Sequence, residues 1–247
     1  MSYEGMIAER VRIHGDKGDL IDAYVARPLG PGPFGAVIVV HHMPGWDEWT
    51  REVVRKLAHH GYAAIAPDLH HRQGPGTVRE KAQRVRDMGG QIDSQVLGDL
   101  SGAEDYLRAL PSGNGKVGLI GFCSGGRVAY MAAAKMASLA CAVDCWGGSV
   151  NAAKAGPNAN QPVPPIAMTK DITVPLLGIF GNDDKNPSPA HVDEQETELK
   201  KHNKIYEFHR YDGAGHAFFF WYGDRYRVAQ MMDAWGKVYA FFERYLR

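Results

Sequence analysis

The segment KVGLIGFCSGGRVAY, residues 116–130, constrains the fold more than any other part of the chain. Val117–Phe122 is a short apolar run that predicts a buried strand, and apolar residues at helical spacing follow from Val128. Between them, the pentapeptide GFCSG has the form G-x-nucleophile-x-G, with cysteine where serine is usual. The two glycines are expected because a Cβ there would clash with the neighbouring strand and helix. The segment therefore predicts a strand, a sharp turn and a helix, with a nucleophile at the turn.

Three polar side chains predict a nucleophilic site. Cys123 is the expected nucleophile, and the N-terminus of the following helix favours its thiolate form. The amide of Ser124 would supply half of an oxyanion hole. His216, in a glycine-rich loop, is the expected base, and Asp183, after a later apolar strand, would orient it. Nucleophile, acid and histidine occur in this order in α/β-hydrolases, although spacing alone leaves Asp184 open as the acid.

Composition excludes several classes of function. Lys plus Arg and Asp plus Glu balance at 28 each, so no global charge attracts nucleic acid or an anionic membrane. No apolar run approaches the about 20 residues of a membrane span, and no secretory signal is visible. Three cysteines favour a reducing, cytoplasmic location, and the evenly spaced Cys141 and Cys145 are predicted as buried core thiols. We expect no metal site.

Strand and helix patterns alternate along most of the chain. Strands are predicted at 6–13, 20–26, 36–40, 62–67, 117–122, 140–146, 174–180 and 204–211, and helices at 46–60, within 78–90, and at 92–110, 124–133, 189–202 and 225–245. The first two strands form an antiparallel hairpin, whereas the alternation that follows predicts a mostly parallel central sheet with helices on both faces. Residues 149–173 are predicted to form a long loop at the rim of the site. We expect one domain, residues 1–247, without a cap domain.

Five motifs stand out along the chain: GYAAIAPDL (61–69), RQGPGT (72–77), GKVGLIGFC (115–123), GND (181–183) and GAGHAF (213–218). Through these motifs the chain, from about Ala36 onward, resembles the dienelactone hydrolase (carboxymethylenebutenolidase) family of α/β-hydrolases. The resemblance implies an α/β-hydrolase fold and cleavage of carboxylic esters or lactones through a covalent acyl-thioenzyme, without a cofactor. It places the triad on Cys123, His216 and Asp183, which favours Asp183 over Asp184.

The resemblance also implies positions for the groups that bind substrate. The oxyanion amides would be those of Ser124 and Met43, and Arg72 would bind a substrate carboxylate. Two positions depart from the family pattern. The family's glutamate that handles the thiol proton is matched by His42, and its second carboxylate-binding arginine is matched by Phe220. His42 would then stabilise the thiolate, or else serve only as a structural hydrogen-bonding residue.

The change from arginine to phenylalanine predicts a less anionic pocket, which prefers neutral or aromatic acyl groups. Trp46, Phe218 and Phe220 are candidates for its lining, with core packing as the alternative for each. The expected partner is a small ester or lactone, and the protein would be a monomer or a homodimer. Two other functions stay open: promiscuous hydrolysis of aryl or phosphate esters, and a non-catalytic thiol protein that senses redox state or binds a ligand.

Overall fold

The computed structural model describes residues 5–152 and 156–247. Residues 1–4 and 153–155, which fall within the predicted domain and the predicted 149–173 loop, lie outside the described residues. In the described residues, eight strands form one sheet, in the order β1-β2-β4-β3-β5-β6-β7-β8. The strands are β1 (Met6–His14), β2 (Leu20–Pro28), β3 (Phe34–Val40), β4 (Ala63–Pro67), β5 (Gly113–Phe122), β6 (Cys141–Cys145), β7 (Leu176–Gly181) and β8 (Tyr206–Tyr211).

In residues 5–152 and 156–247, six α-helices connect and cover these strands. They are α1 (Glu48–His59), α2 (Val78–Asp87), α3 (Asp93–Arg108), α4 (Ser124–Lys135), α5 (Pro189–Lys201) and α6 (Val228–Leu246). α1, α2 and α5 begin at a capping side chain: Asp47 accepts from the amide of Thr50, Thr77 from that of Glu80, and Ser188 from that of His191. The predicted helices and strands are confirmed, with ends shifted by a few residues.

Strand direction explains where polar side chains gather. β1 and β2 are antiparallel, as predicted, and β3 to β8 run parallel to one another. The carboxyl ends of the parallel strands therefore open at one edge of the sheet, where ligands of open α/β sheets bind. Between β6 and β7, the predicted loop contains a short 3-10 helix, Pro165–Asp171, whose Thr169 hydroxyl lies 2.7 Å from the Tyr130 hydroxyl of α4.

Apolar side chains cover both faces of the sheet, in two buried clusters. Every residue of β3 is buried. Cys141 and Cys145 are fully buried, which confirms their predicted place in the core. Burial raises the pKa of both thiols, so neither is poised to react. Within 5–152 and 156–247, none of the helices combines the length and the hydropathy needed to span a bilayer.

Candidate active site

Cys123 occupies the sharp turn between β5 and α4. Its φ of 55° and ψ of −115° lie outside the usual regions for a side chain other than glycine. A Cβ on Gly121 would lie 1.9 Å from the carbonyl oxygen of Gly125, and one on Gly125 would lie 2.3 Å from that of Val40. The glycines of the pentapeptide are therefore required by the helix and by strand β3, as the sequence predicted.

His216 lies beside this cysteine, on the loop that follows β8. Its Nε2 atom is 3.0 Å from the Cys123 sulfur, so the 93-residue separation between them is closed by the fold. The next residue, Ala217, has a φ of 63°. A positive φ at a non-glycine residue is uncommon and tends to occur where the backbone holds a functional side chain in place.

The acid that faces His216 is Asp184. Its Oδ2 atom lies 2.7 Å from Nδ1 of His216, and its Oδ1 atom accepts a 2.9 Å hydrogen bond from the amide of Asn186. The Asp184 residue is only 6% exposed, whereas Asp183 is exposed. The assignment of Asp183 as the partner of His216 is therefore wrong in this structure.

The turn after β7 explains this correction. The amide of Asp183 donates to the carbonyl of Ala214 in the histidine loop, and the amide of Asp184 donates to the carbonyl of Gly181. The backbone of Asp183 thus joins the two loops while its side chain faces solvent. Asp184, the next residue, directs its carboxylate inward, towards the imidazole of His216.

The electrostatics of His216 favour the imidazolium form. Burial by itself would lower the pKa of this histidine. The hydrogen bonds to Asp184 and Cys123, together with their negative charges, outweigh burial and raise the pKa of His216 to about 10. The arrangement can therefore hold a proton on the imidazole beside a thiolate, and can return that proton to a leaving group.

An open cleft of about 780 Å³ surrounds the sulfur. Met43 and Ser124, the two residues predicted to supply oxyanion amides, both line it with Cys123. The remaining lining residues come from the loops after β6, β7 and β8 and from α2: Arg86, Gly148, Ser149, Asp183, Asp184, Lys185, Asn186, Gly215, His216 and Arg225. Arg86, Lys185 and Arg225 were not predicted, because nothing in their local sequence distinguishes them from other exposed cations.

His42 lies in the buried wall at the end of β3. Its Nε2 atom is 2.7 Å from Oδ2 of Asp47, and its ring stacks on Phe220 with centroids 4.8 Å apart. Burial acts to raise the pKa of Asp47, but the bonds with His42 and with Thr50 outweigh it and lower that pKa. The structure thus gives His42 a carboxylate partner and an aromatic partner. Its effect on Cys123 stays a prediction.

The expected substrate arginine, Arg72, has a structural role. Its guanidinium forms a bidentate pair with Asp99, at 2.8 and 2.9 Å, and its Nε donates to Asp19 at 2.8 Å. It is not among the described residues that line the cleft. Its assignment to a substrate carboxylate is therefore wrong in this structure, because Asp99 and Asp19 take three of its five N–H donors and hold the guanidinium outside the cleft lining.

The three aromatic candidates also lie away from the cleft lining. Phe218 is fully buried in the core, and Trp46 is buried with its Nε1 donating to the carbonyl of Ala66. Phe220 is half-buried against His42 and Trp49. Core packing, the stated alternative, is correct for Phe218 and Trp46, because both belong to a buried apolar cluster.

These features define the class of protein: a parallel sheet with an antiparallel start, a nucleophile turn after β5 and a histidine loop after β8 constitute an α/β-hydrolase. The sequence matches the model of the dienelactone hydrolase family over residues 21–246. The chain therefore belongs to the dienelactone hydrolase family, and is a hydrolase.

Individual proteins agree with this placement. A protein of Escherichia coli K12 named "putative carboxymethylenebutenolidase" is 34% identical over 93% of this chain and 84% of its own length. A solved structure named "putative dienelactone hydrolase", from Klebsiella pneumoniae, superposes with a TM-score of 0.88 at 30% identity, covering 98% of this chain and all of its own. A dienelactone hydrolase-like promiscuous phosphotriesterase from metagenomic libraries has a TM-score of 0.81 at 21% identity, over 98% of this chain and 99% of its own. This last likeness shows the fold alone.

Proposed function

We propose that this protein hydrolyses carboxylic esters or lactones with Cys123 as a covalent nucleophile. The observation that carries the proposal is the continuous contact from the Cys123 sulfur through the His216 ring to the Asp184 carboxylate, at 3.0 and 2.7 Å. Nucleophile, base and orienting acid within hydrogen-bond reach are the signature of covalent acyl transfer.

The proposed reaction has two halves. The Cys123 thiolate attacks the carbonyl carbon, and the amides of Ser124 and Met43 stabilise the negative charge that develops on oxygen. The His216 imidazolium gives its proton to the leaving alkoxide, which departs as an alcohol and leaves a thioester on Cys123. Neutral His216 then takes a proton from water, the hydroxide attacks the thioester, and the acid leaves as the thiolate re-forms. Asp184 holds the tautomer of His216 throughout.

The charges of the cleft lining favour a substrate that carries some negative charge. Phe220 packs on His42, so the family position that it matches offers no cation. Arg86, Lys185 and Arg225 instead bring positive charge to the cleft wall. We therefore propose that the acyl group at Cys123 is neutral, and that any substrate carboxylate meets these three cations.

Hydrolysis of p-nitrophenyl acetate tests the proposal. Both Cys123→Ala and His216→Gln should lose about 1,000-fold or more in kcat/KM with the fold intact. Mass spectrometry of the wild type should detect an acyl group on Cys123. Cys145→Ala, which removes a buried thiol instead, is the matched control and should keep its activity.

Two outcomes would count against the assignment. Wild-type protein that turns over no ester or lactone in a panel of neutral and carboxylated substrates would favour a non-catalytic thiol protein. An active Cys123→Ala variant would place the nucleophile elsewhere.

A second candidate activity is hydrolysis of phosphate triesters. The observation in its favour is the volume of the cleft, about 780 Å³, which is open enough for a tetrahedral phosphorus centre. Inclusion of paraoxon in the same panel tests it directly.

We further propose that residues 1–247 act as one domain. We also propose that the protein works in a reducing compartment, such as the cytoplasm, because oxidation would consume a free thiol nucleophile.

A further inference from the structure

A second cavity, of about 170 Å³, lies at the carboxyl end of β4. Its walls come from the edge strands β1 and β2, from the start of α1 and from the segment 68–81. None of the described residues that line it also lines the catalytic cleft. It is therefore a separate polar site, and the proposed hydrolysis does not use it.

His70 is the most unusual side chain of this second cavity. The residue is 1% exposed, and among the described residues neither of its ring nitrogens has a hydrogen-bond partner. Burial, reinforced by nearby positive charge, lowers the pKa of His70 to about 2, so the ring is neutral. A neutral imidazole carries one N–H donor, and a buried donor without a partner is costly. The ring is therefore prepared to donate to a group inside the cavity.

Of the three cations that line the cavity, Arg10, Arg51 and Lys81, Arg51 has the weakest carboxylate contact. Arg10 pairs with Asp22 and Lys81 pairs with Asp68, each at 3.1 Å. Among the carboxylates of the described residues, Arg51 reaches only Glu48, at 3.8 Å, and the Glu48 side chain is 69% exposed.

The contacts of Arg51 with the described residues also fix its guanidinium at the cavity. Its Nε atom is buried without a hydrogen-bond partner, and its guanidinium lies 4.4 Å from the centre of the Trp46 ring. Stacking on Trp46 holds the planar group in place while leaving its N–H edge available. The cavity thus combines a held cation with a buried neutral donor.

We propose that this cavity binds a small oxyanion, a phosphate group or a short carboxylate, between Arg51 and His70. Arg51 supplies the compensating charge and His70 donates one hydrogen bond. Charge-assisted bonds of this kind are the usual means by which proteins hold phosphate and carboxylate oxygens. The volume of the cavity limits the bound group to a few heavy atoms.

Occupation of the site would also act on the loop that carries Met43. Trp46 lies on this loop, which runs from β3 to α1, and it forms part of the cavity wall. An anion held against Arg51 would therefore connect the start of α1 to the 68–81 segment. We expect the amides of both segments to exchange more slowly when the anion is bound.

Thermal unfolding at constant ionic strength tests the site, with inorganic phosphate and acetate as separate titrants against a chloride reference. Wild-type Tm should rise with saturation for at least one of them, because a ligand that binds only the folded state stabilises it. Arg51→Met should raise the apparent Kd about tenfold or more. Arg55→Met is the matched control, since Arg55 lies one turn further along α1 and also pairs with Glu48. It should bind like the wild type.

Lys185→Met, which removes a cation of the catalytic cleft, separates the two sites and should also bind like the wild type. Hydrogen exchange on the wild-type protein gives a readout that needs no variant: phosphate or acetate should protect 68–81 and leave 213–217 unchanged. No saturable effect of either titrant would overturn the proposal. Equal loss in Arg51→Met and Arg55→Met, or loss of binding in Lys185→Met, would overturn it as well.

Discussion

The catalytic cleft and the neighbouring 68–77 segment place histidines and arginines at the same edge of the sheet, but use them in opposite ways. In the cleft, bonds to Asp184 and Cys123 raise the pKa of His216 to about 10. In the segment, burial without a carboxylate partner lowers the pKa of His70 to about 2. The comparison teaches that burial alone favours the neutral ring, and that an adjacent negative charge is needed to make a histidine an acid.

The arginines of the two regions also differ in whether a carboxylate of the fold pairs with them. Arg72 is bound by Asp99 and Asp19, so its charge serves the fold. Arg86 is exposed and lines the cleft, where its hydrogen bond to the Gln83 side chain is long, at 3.4 Å. A charged side chain is available to a substrate only when the fold has not already supplied its partners.

The largest expected effect comes from removal of the carboxylate that distinguishes His216 from His70. Asp184→Asn should lower kcat/KM by about 100- to 1,000-fold, because the amide neither fixes the tautomer nor stabilises the imidazolium. Steady-state kinetics on p-nitrophenyl acetate measures it. Asp183→Asn is the matched control and should lie within a few-fold of wild type. If Asp183→Asn were instead the damaging change, the assignment of the acid would revert to the neighbour.

A second effect separates the two arginines. Arg72→Met should lower the free energy of unfolding by about 2–3 kcal/mol, because Asp99, with its side chain 1% exposed, would lose its countercharge. Its KM for a carboxylated ester should not change. Arg86→Met should do the reverse, with an unchanged free energy of unfolding and a higher KM for the carboxylated ester than for a neutral one. Urea denaturation and kinetics on both variants decide between these patterns.

The smallest effect is a pH dependence of opposite sign at the two histidines. The pKa of His70 is lowered on folding, so the unfolded state takes up its proton first as the pH falls. Between pH 6.5 and 5, the free energy of unfolding of the wild type should therefore fall by about 2 kcal/mol relative to that of His70→Leu. At His216 the raised pKa gives stability that is complete below the unfolded value near 6.5 and is lost as the pH rises through the folded value.

The His216 measurement is best made on Cys123→Ala protein, which removes the thiol from the titration and leaves Asp184 to hold the charge. In that background, His216→Gln should lower the free energy of unfolding by about 1 kcal/mol more at pH 6 than at pH 9. Denaturation in buffers free of phosphate and carboxylate keeps the cavity beside His70 out of the comparison. The same sign of pH dependence at both histidines would show that Asp184 does not control His216.

Local sequence was sufficient for most of the architecture. Apolar runs bounded by glycine and proline located the strands, helical periodicity located the helices, and the GFCSG pentapeptide located the turn that presents Cys123. His216 was also found, because a histidine in a glycine-rich loop after the last strand is a local feature. These signals depend on residues that are close together in the chain.

The tertiary structure alone decided which neighbouring polar side chain does what. Asp183 and Asp184 are adjacent, and the backbone bonds of the folded turn, from the Asp183 amide to Ala214 and from the Asp184 amide to Gly181, accompany the inward direction of the Asp184 carboxylate. Arg72 pairs with Asp99 on α3, 27 residues further along the chain, instead of lining the cleft. His42 stacks on Phe220, which lies 178 residues later in the chain. The type of a side chain and its secondary structure follow from short-range forces. Its hydrogen-bond partner, and so its charge and its chemistry, follows from contacts that only the folded chain creates.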